Sequence, residues 1–517
     1  MKHSALLVLF VLAVPLTGCG DRDPRLEEWN PLSQPWFIGD QVVYHDTTFD
    51  ELLVLEARRE QSSLTYRRIP IPEGSTRWVT LDKSGKLLLR QAEDNLITLV
   101  DLSAGTMEEL EIASPYDRIE ASEDANAIAM YFSENATGND ANPFLNKAEV
   151  SFLDLAATPP KVVRRVIPTY GGAPLGVQLA PPVMASGKTR RLAFVRWNSS
   201  LSVVDVDKPD AAPVEIRLKT PDSSNTVVPG NLQFYVEEGV LRVLFIAGGT
   251  NDLYMVEIDV ANFASGGAGV LLNLFPTASG AEVFAPYEDR DGKLAVIVLC
   301  RTGHSVAVVH PDSSEVELYA LDIAPRHLLL TSLTMEDSGI MENVAVVADV
   351  QGGAQTYYIV QLDRLVEKKS KALLRFSVPS PLSNLWLLGD GRHALAFHAY
   401  GSSSLSQVDL ESGSVVSLGY SMEIRAQQMD AAMRTLYAVG VQNGKSYLVS
   451  IDAISLEVNS VRLPGNQPPS ALHLLEDEDL IVLSDSDGEL LWISPLQPEA
   501  PEEIVEFVLP SLTGLEH

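Results

Sequence analysis

The apolar positions of this chain fall in short runs of about five to eight residues, some alternating with polar positions and some unbroken. Gly, Asp, Asn and Ser interrupt them at close intervals. Such runs predict β-strands joined by tight turns, whereas the three-to-four spacing of an amphipathic helix is scarce. The clearest unit starts at Arg77. Trp78-Val-Thr-Leu81 predicts a first strand, Asp82-Lys-Ser-Gly85 a turn and Lys86-Leu-Leu-Leu-Arg90 a second strand. Leu96-Ile-Thr-Leu-Val-Asp-Leu102 predicts a third strand, and Ser103-Ala-Gly105 turns the chain into a fourth, from Glu108 to Ile112.

The order returns along the chain. A third strand ending in an apolar-Asp-apolar step recurs at Val150-Ser-Phe-Leu-Asp154-Leu, Leu201-Ser-Val-Val-Asp205-Val and Leu253-Tyr-Met-Val-Glu-Ile-Asp259-Val. Later copies are Tyr358-Ile-Val-Gln-Leu-Asp363, Leu405-Ser-Gln-Val-Asp409-Leu and Tyr447-Leu-Val-Ser-Ile-Asp452, with Val306-Ala-Val-Val-His310 and Leu490-Leu-Trp-Ile-Ser494 as degenerate members. Most spacings lie near 45 to 55 residues, roughly the period of four-stranded propeller blades. One such sheet cannot bury both of its faces, but a ring of them can. The predicted fold is therefore all-β, a β-propeller of about 7 to 10 four-stranded units. Ten candidate units can be counted, the first and last poorly formed. One continuous ring is preferred to two, with a C-terminal strand near Ile504 to Leu509 closing it against the N-terminal unit. Residues 173–182 and 466–469, rich in Pro, predict longer loops. The aspartates that follow the third strands have a turn role available, their carboxylates accepting backbone N–H groups.

This repeat resembles bacterial propellers of the YVTN and WD40-like classes. More loosely, it is similar to the lipoprotein propeller of the outer-membrane β-barrel assembly machinery. The resemblance covers roughly residues 36–510 as a pattern. The blade-ending Trp of quinoprotein-like repeats is missing, since Trp492 sits inside a strand, and neither a Trp-Asp signature nor a sialidase Asp-box occurs. A fold does not by itself give a function.

The N-terminus reads as an address. Lys2 supplies a short positive region, and residues 5–14 form an apolar stretch of signal-peptide length. Leu16-Thr17-Gly18-Cys19 resembles the lipobox of bacterial lipoproteins. The resemblance implies diacylglyceryl transfer to the Cys19 thiol, cleavage of residues 1–18 before it, and acylation of the new amine. Several acyl chains then hold the protein to a membrane where one would anchor only marginally. Asp21 stands one place later than the inner-membrane retention signal of enteric bacteria, which favours the outer membrane. Residues 19–35, with charges of both signs plus Pro24 and Pro31, read as a tether; 36–510 are the propeller, and 511–517 a tail. With Cys19 acylated, Cys300, at the end of Leu294-Ala-Val-Ile-Val-Leu-Cys300, has no disulfide partner and reads as a buried, inert thiol.

Charge narrows the partners. Lys and Arg number 38 against 69 Asp and Glu, a net charge of −31, so no nucleic-acid partner is expected, because binding phosphates needs a basic patch. A uniformly acidic surface is also repelled by anionic head groups and favours solubility. With 46% hydrophobic and 21% charged residues the composition is globular, not disordered.

Motifs for chemistry are sparse. There is no Gly-x-Ser-x-Gly elbow and no His-Glu-x-x-His. Gly187-Lys188-Thr189 echoes a phosphate loop, but Pro182 takes the place of its first Gly. His393 and His398 straddle one strand without the pairing of metal ligands. Two acidic turns, Asp289-Arg-Asp291-Gly292 and Asp485-Ser-Asp487-Gly488, allow a calcium reading. Calcium needs six to eight oxygens, which neither turn supplies locally, while Asp-Gly is a strong hairpin signal. Asp289, Asp291, Asp485 and Asp487 thus read first as hairpin turns, and Glu476-Asp-Glu-Asp479 as a solvated turn. No cofactor is expected. Asn139-Asp-Ala-Asn142-Pro143 and Ser265-Gly-Gly-Ala-Gly269 mark long loops of the kind that carry binding on rigid scaffolds.

The first expectation is a lipid-anchored binding or scaffolding protein of the cell envelope, not an enzyme. It would act as a monomer or in a hetero-complex, with an envelope protein, peptide or glycan as partner. The alternative is an envelope enzyme acting on glycans through dispersed loops, which two carboxylates converging at the central channel would support. A third is a sensor or cargo-binding component of a secretion or adhesion system.

Overall fold

The computed structural model describes residues 36–505, apart from 40, 48, 59–62, 82–83, 92–94, 138–143, 168–171, 209, 219–226, 249, 265–268, 337–338, 350–354, 368–371, 399–403, 464–468, 476–479, 485–489 and 494–502. The strands form ten antiparallel sheets in chain order, here numbered as blades 1 to 10: 36–70, 76–111, 118–166, 176–217, 228–276, 281–320, 327–377, 382–419, 423–462 and 471–505. Each is a four-stranded meander, with two additions. Blade 5 gains a fifth strand, because Val228–Pro229 and Gln233–Glu237 both pair with Val240–Gly248. Between the first and second strands of blade 4, a separate hairpin is made of Val183–Ala185 and Lys188–Arg190. Each third strand expected from the sequence lies third in its sheet, from Leu96–Asp101 to Leu490–Ile493.

The burial pattern explains why the strands read as they do. Second and third strands are sandwiched by neighbouring blades on both faces, so they are largely buried: all seven residues of Leu294–Cys300 are, as are the first five of Ser305–His310. Fourth strands meet solvent and alternate, as Glu315–Ala320 does. Each consecutive pair of blades shares an apolar core. Leu88 and Ile97 of blade 2 pack with Ile128 and Leu153 of blade 3, and Ala345 and Val347 of blade 7 pack with Ile297 and Val308 of blade 6. Some approaches are closer still. A Cβ on Gly389 of blade 8 would lie 2.0 Å from the Ala432 carbonyl of blade 9, and the Gly389 N–H donates to Met433 O at 3.0 Å.

First strands of successive blades approach one another: His327–Thr334 lies against both Ala281–Glu288 and Leu382–Leu387. They form the inner rim, and the fourth strands form the outer. Blade 10 meets blade 1 at this rim, where the rings of Phe37 and His473 stack with centroids 3.9 Å apart. Among the described residues the β-propeller is thus a ring of ten blades.

Three expectations need correction. Ile504 pairs inside its own blade, and residues 506–509 of the expected closing strand lie outside the described residues. Glu503–Val505 pairs with Leu490–Ile493 of its own blade, Leu491 opposite Ile504, so among the described residues no strand is shared across the seam. Residues 173–182 are not simply a loop, because Gly176–Leu179 is the first strand of blade 4. An innermost strand is paired along one edge only, which tolerates the flanking Pro174 and Pro181. Asp363 does not sit in a turn after its strand; it lies in the helix Leu362–Val366, and its carboxylate accepts the Asn343 N–H at 2.6 Å. Cys19 lies outside the described residues, as do residues 466–468, Glu476, Asp479, Asp485 and Asp487.

Candidate binding surfaces

A meander places the turn between strands one and two and the turn between strands three and four at the same end of each blade. One face of the ring therefore carries both series. The aspartates ending third strands cap the turns that follow. Asp101 accepts the Ala104 N–H at 2.8 Å, Asp154 that of Ala156 at 3.1 Å, and Asp205 those of Asp207 and Lys208, both at 3.1 Å. Asp259 accepts from Asn262 at 3.0 Å as its chain enters the helix Val260–Ala264. Asp409 takes Glu411 and Ser412 at 3.1 and 2.7 Å, and Asp452 takes Ile454 and Ser455 at 3.0 and 2.8 Å. The Ser455 N–H is the main reason the Asp452 carboxyl is held below the ordinary carboxylate range.

A second series stands in the first turns, and only its Asp289 member was singled out from sequence. Asp124 accepts from Asn126, Asp390 from Arg392 and His393, and Asp430 from Arg434 and Thr435. The readable signal is an Asp three to five residues ahead of the second strand. Asp289 belongs here as well: its Oδ1 accepts the N–H groups of Asp291 and Lys293 at 2.9 and 3.0 Å, and Gly292 holds φ +72°. Its other oxygen lies 4.0 Å from His310 Nδ1. Among the described residues no group of three or more His, Cys, Asp or Glu could hold a metal ion.

Arginines on this face tie neighbouring blades. Arg191 of blade 4 bonds Asp154 of blade 3 at 3.1 Å, and Arg242 of blade 5 reaches Asp312 of blade 6 at 3.3 Å. Arg290 of blade 6 holds Glu342 and Glu367 of blade 7 at 2.7 and 2.9 Å, while Arg364 takes the other oxygen of the buried Glu342 at 2.6 Å. Arg392 of blade 8 binds its own Asp409 at 2.8 Å and also Glu336 of blade 7. Acids and arginines here brace the scaffold, which leaves a rigid face of fixed shape.

Two buried polar groups have the look of chemistry. Glu149, 1% exposed, accepts from Ser114 at 2.9 Å and Tyr116 at 2.5 Å and pairs with Arg164. Burial first, then this carboxylate, push the Tyr116 phenol up. His398 donates Nδ1–H to Ser380 O and accepts the Ser406 hydroxyl at Nε2, both at 2.8 Å. This matches the order of a base and a nucleophile, but His398 is 2% and Ser406 0% exposed, so neither can meet a substrate. Ser406 in turn bonds Ser417 at 2.8 Å. His393 stands apart, with Nδ1 on Asp390 at 2.5 Å. Cys300 is a buried free thiol whose pKa burial raises.

Two carboxylates on the inner-rim strands lie near a cation, whereas Glu288 accepts the Tyr235 hydroxyl at 3.0 Å. Glu282 lies 3.5 Å from Arg301, and Glu423 lies 3.1 Å from Arg425. Glu120 feels Arg196, although burial is what chiefly raises its pKa. Blades 3 and 4 break the acidic pattern. Residues 155–204 contain no Asp or Glu, while Lys161, Arg164, Arg165, Lys188, Arg190, Arg191 and Arg196 all fall there. In the fold, acids stand among them: Arg191 meets Asp154 and Asp207, and Arg164 pairs with Glu149. Gly187-Lys188-Thr189 belongs to the inserted hairpin of blade 4, where Ser186 and Gly187 form the turn with φ +52° and +73°.

No protein-family model matches the chain, and no curated relative matches it. Among solved structures it is similar to a eukaryotic initiation factor, at 12% identity and TM-score 0.48, covering 91% of this chain and 96% of that one. It is similar to the Dos1 propeller at 9% identity and TM-score 0.38, covering 72% and 91%. It is similar also to the dihydro-heme d1 dehydrogenase NirN in complex with DHE at 15% identity and TM-score 0.41, covering 75% of each chain. The assignment to the β-propeller fold rests on the chain's own ring of four-stranded sheets.

Proposed function

We propose that this chain is a lipid-anchored propeller of the bacterial cell envelope that binds or scaffolds another envelope molecule and catalyses no reaction. The observation that carries the reading is the braced turn face, on which paired aspartates and arginines fix a large surface in one shape. Preorganisation of that kind lowers the ordering cost of binding. The anchor is assigned from Leu16-Thr17-Gly18-Cys19, and the outer membrane from the place of Asp21. The partner is an envelope protein, a peptide segment or a surface glycan, and the chain works as a monomer or within a hetero-complex.

The test is crosslinking in intact native cells with the tagged protein and a Cys19→Ala control, followed by identification of what is captured. A discrete set of envelope molecules, lost in the control, supports the anchored scaffold. Good expression with no specific partner overturns it and directs effort to glycan hydrolysis assays.

A further inference from the structure

We infer that the outer edge of blade 5 docks an extended segment of a partner protein, apolar along its middle and basic at its ends, which adds to the blade as a further strand. The fourth strand of blade 5, Val270–Pro276, is seven residues long and reads Val-Leu-Leu-Asn-Leu-Phe-Pro. Among the ten fourth strands only this one and the shorter Val415–Gly419 carry no charged residue. Proteins usually guard an unpaired edge with charges, because its open N–H and C=O groups are a template for another strand. Blade 5 lacks that guard. Leucines stand exposed there instead: Leu271 at 62%, Leu272 at 38% and Leu274 at 39%.

The ladder fixes which backbone groups are open. The Asp259 N–H donates to Gly269 O at 3.0 Å, and the Thr277 N–H donates to Asn251 O at 2.9 Å. Between these two bonds the register is unbroken. Hydrogen-bonded positions alternate in an antiparallel pair, so Leu271, Asn273 and Phe275 turn their backbone groups to the third strand. Val270, Leu272 and Leu274 turn theirs outward, and among the described residues no other element takes them up. Pro276, which has no N–H, ends the row. Leu272 and Leu274 lie opposite Val256 and Tyr254, on the face turned to blade 4. Leu271 shares the opposite face with Phe275, which packs against blade 6. A strand laid along this row therefore meets leucine on both of its faces. Its own side chains must be apolar on both, an unbroken run and not an alternating one.

Charge selects what flanks that run. The neighbouring fourth strands carry Glu215 in blade 4 and Glu315 and Glu317 in blade 6, against one cation, Arg217, which Glu215 already holds at 3.4 Å. Glu257, directly opposite Leu271, shares Arg242 with Asp312. A segment with Lys or Arg at its ends is attracted by this surround, and an acidic one is repelled. A second copy of this chain is disfavoured on the same ground, since pairing the edge with itself would bring the flanking acids of two rings together. The docking edge deepens the binding reading given above and rests on it for a partner in the envelope.

The test uses the full chain, purified from its host, and fluorescein-labelled peptides followed by fluorescence anisotropy. One peptide carries a run of Val and Leu between lysines, a second has glutamates in place of the lysines, and a third has every amide of the run N-methylated. Leu272→Pro deletes an outward N–H and spares the ladder to the third strand, a place where an edge tolerates proline. Leu272→Lys with Leu274→Lys is a second variant, which gives the edge the charge it lacks without touching the backbone. Binding of the lysine peptide that falls about tenfold or more in both variants, and on N-methylation, supports docking. Binding unchanged in the variants, or by N-methylation, overturns it. A glutamate peptide bound as tightly as the lysine peptide overturns the basic partner. A native chain that sediments as a dimer where Leu272→Pro is a monomer overturns the partner protein in favour of a second copy. The crosslinking in cells separates this edge from the scaffold reading. Partners captured equally by the native chain and by Leu272→Pro overturn the edge and leave the scaffold standing. Edge-dependent peptide binding with no partner captured in cells supports the edge and overturns the scaffold.

Discussion

Phe37 stacks on His473, ring on ring at 3.9 Å, and joins the first strand of the first blade to the first strand of the last. Among the described residues no strand is shared across this seam, and the stacked pair is a side-chain contact that bridges it. Stacked aromatic pairs contribute about 0.5–1.5 kcal/mol beyond the area they bury. Phe37→Ala is expected to destabilise the ring by about 1–3 kcal/mol and to open the seam before the rest unfolds. Hydrogen exchange followed by mass spectrometry checks this: blades 1 and 10 lose protection while blades 5 and 6 keep theirs. Uniform loss around the ring would refute a local seam.

Asp409 illustrates the turn aspartates. Its carboxylate accepts two backbone N–H groups and binds Arg392. Burial alone would raise its pKa, but the Ser412 N–H and the Arg392 guanidinium outweigh burial and hold it below the ordinary range. Asp409→Ala removes these partners and the Ser412 hydroxyl with them, and is expected to cost about 1–3 kcal/mol. Asp409→Asn keeps an acceptor for the turn, loses the charge, and should cost less. Urea unfolding midpoints of the two variants check the order. Equal midpoints would mean the turn does not depend on this acceptor.

Much of the ring was legible in the sequence because its signals are local. Leu96–Asp101 and its counterparts advertise a twice-buried third strand by a mostly apolar run and a terminal Asp. Inner strands such as Gly176–Leu179 were hidden, because a four-residue strand between prolines carries little periodicity. Asp363 was misplaced because the apolar run before it is the same whether a turn or a short helix follows. The clasps were invisible for another reason. Arg290 and Glu342 lie in different blades, and pairing across blades leaves no mark on local spacing. The acid-free run of residues 155–204 is plain in the sequence, but the acids that meet its cations, such as Asp207 beside Arg191, lie outside it.

Glu149 is pinned inside blade 3 by Ser114, Tyr116 and Arg164. A buried carboxylate with three partners is costly to remove, since the Arg164 charge and two hydroxyls lose their acceptor. Glu149→Ala is expected to cost about 3–5 kcal/mol, and Glu149→Gln less because an acceptor oxygen remains. The Tyr116 phenol provides a second readout. With the charge gone, its raised pKa should fall toward the ordinary tyrosine value, visible by ultraviolet titration. A tyrosine titration unchanged in Glu149→Gln would show that burial alone raises it.

The buried histidines set the pH response. His398 is neutral in the fold, donating at Nδ1 and accepting at Nε2, and burial lowers its pKa from 6.5. Burial lowers His45 and His327 as well. A group whose folded pKa is depressed takes up its proton more readily in the unfolded chain. Its contribution to stability is therefore complete above the unfolded value, near 6.5, and is lost as the pH falls below it. Each such histidine adds up to about 1.4 kcal/mol per pH unit to the slope. The window lies between roughly pH 6.5 and the carboxylate range near 4.5, where groups such as Asp205 and Asp363, raised by burial, begin to act in the opposite sense. Urea midpoints measured from pH 7.5 to 5.5 should fall for the native chain. They should fall less steeply for His398→Gln, whose amide can both donate to Ser380 O and accept from Ser406 without taking a proton. Identical slopes for the two proteins would show that His398 protonates as easily folded as unfolded, and would remove it from the acid response.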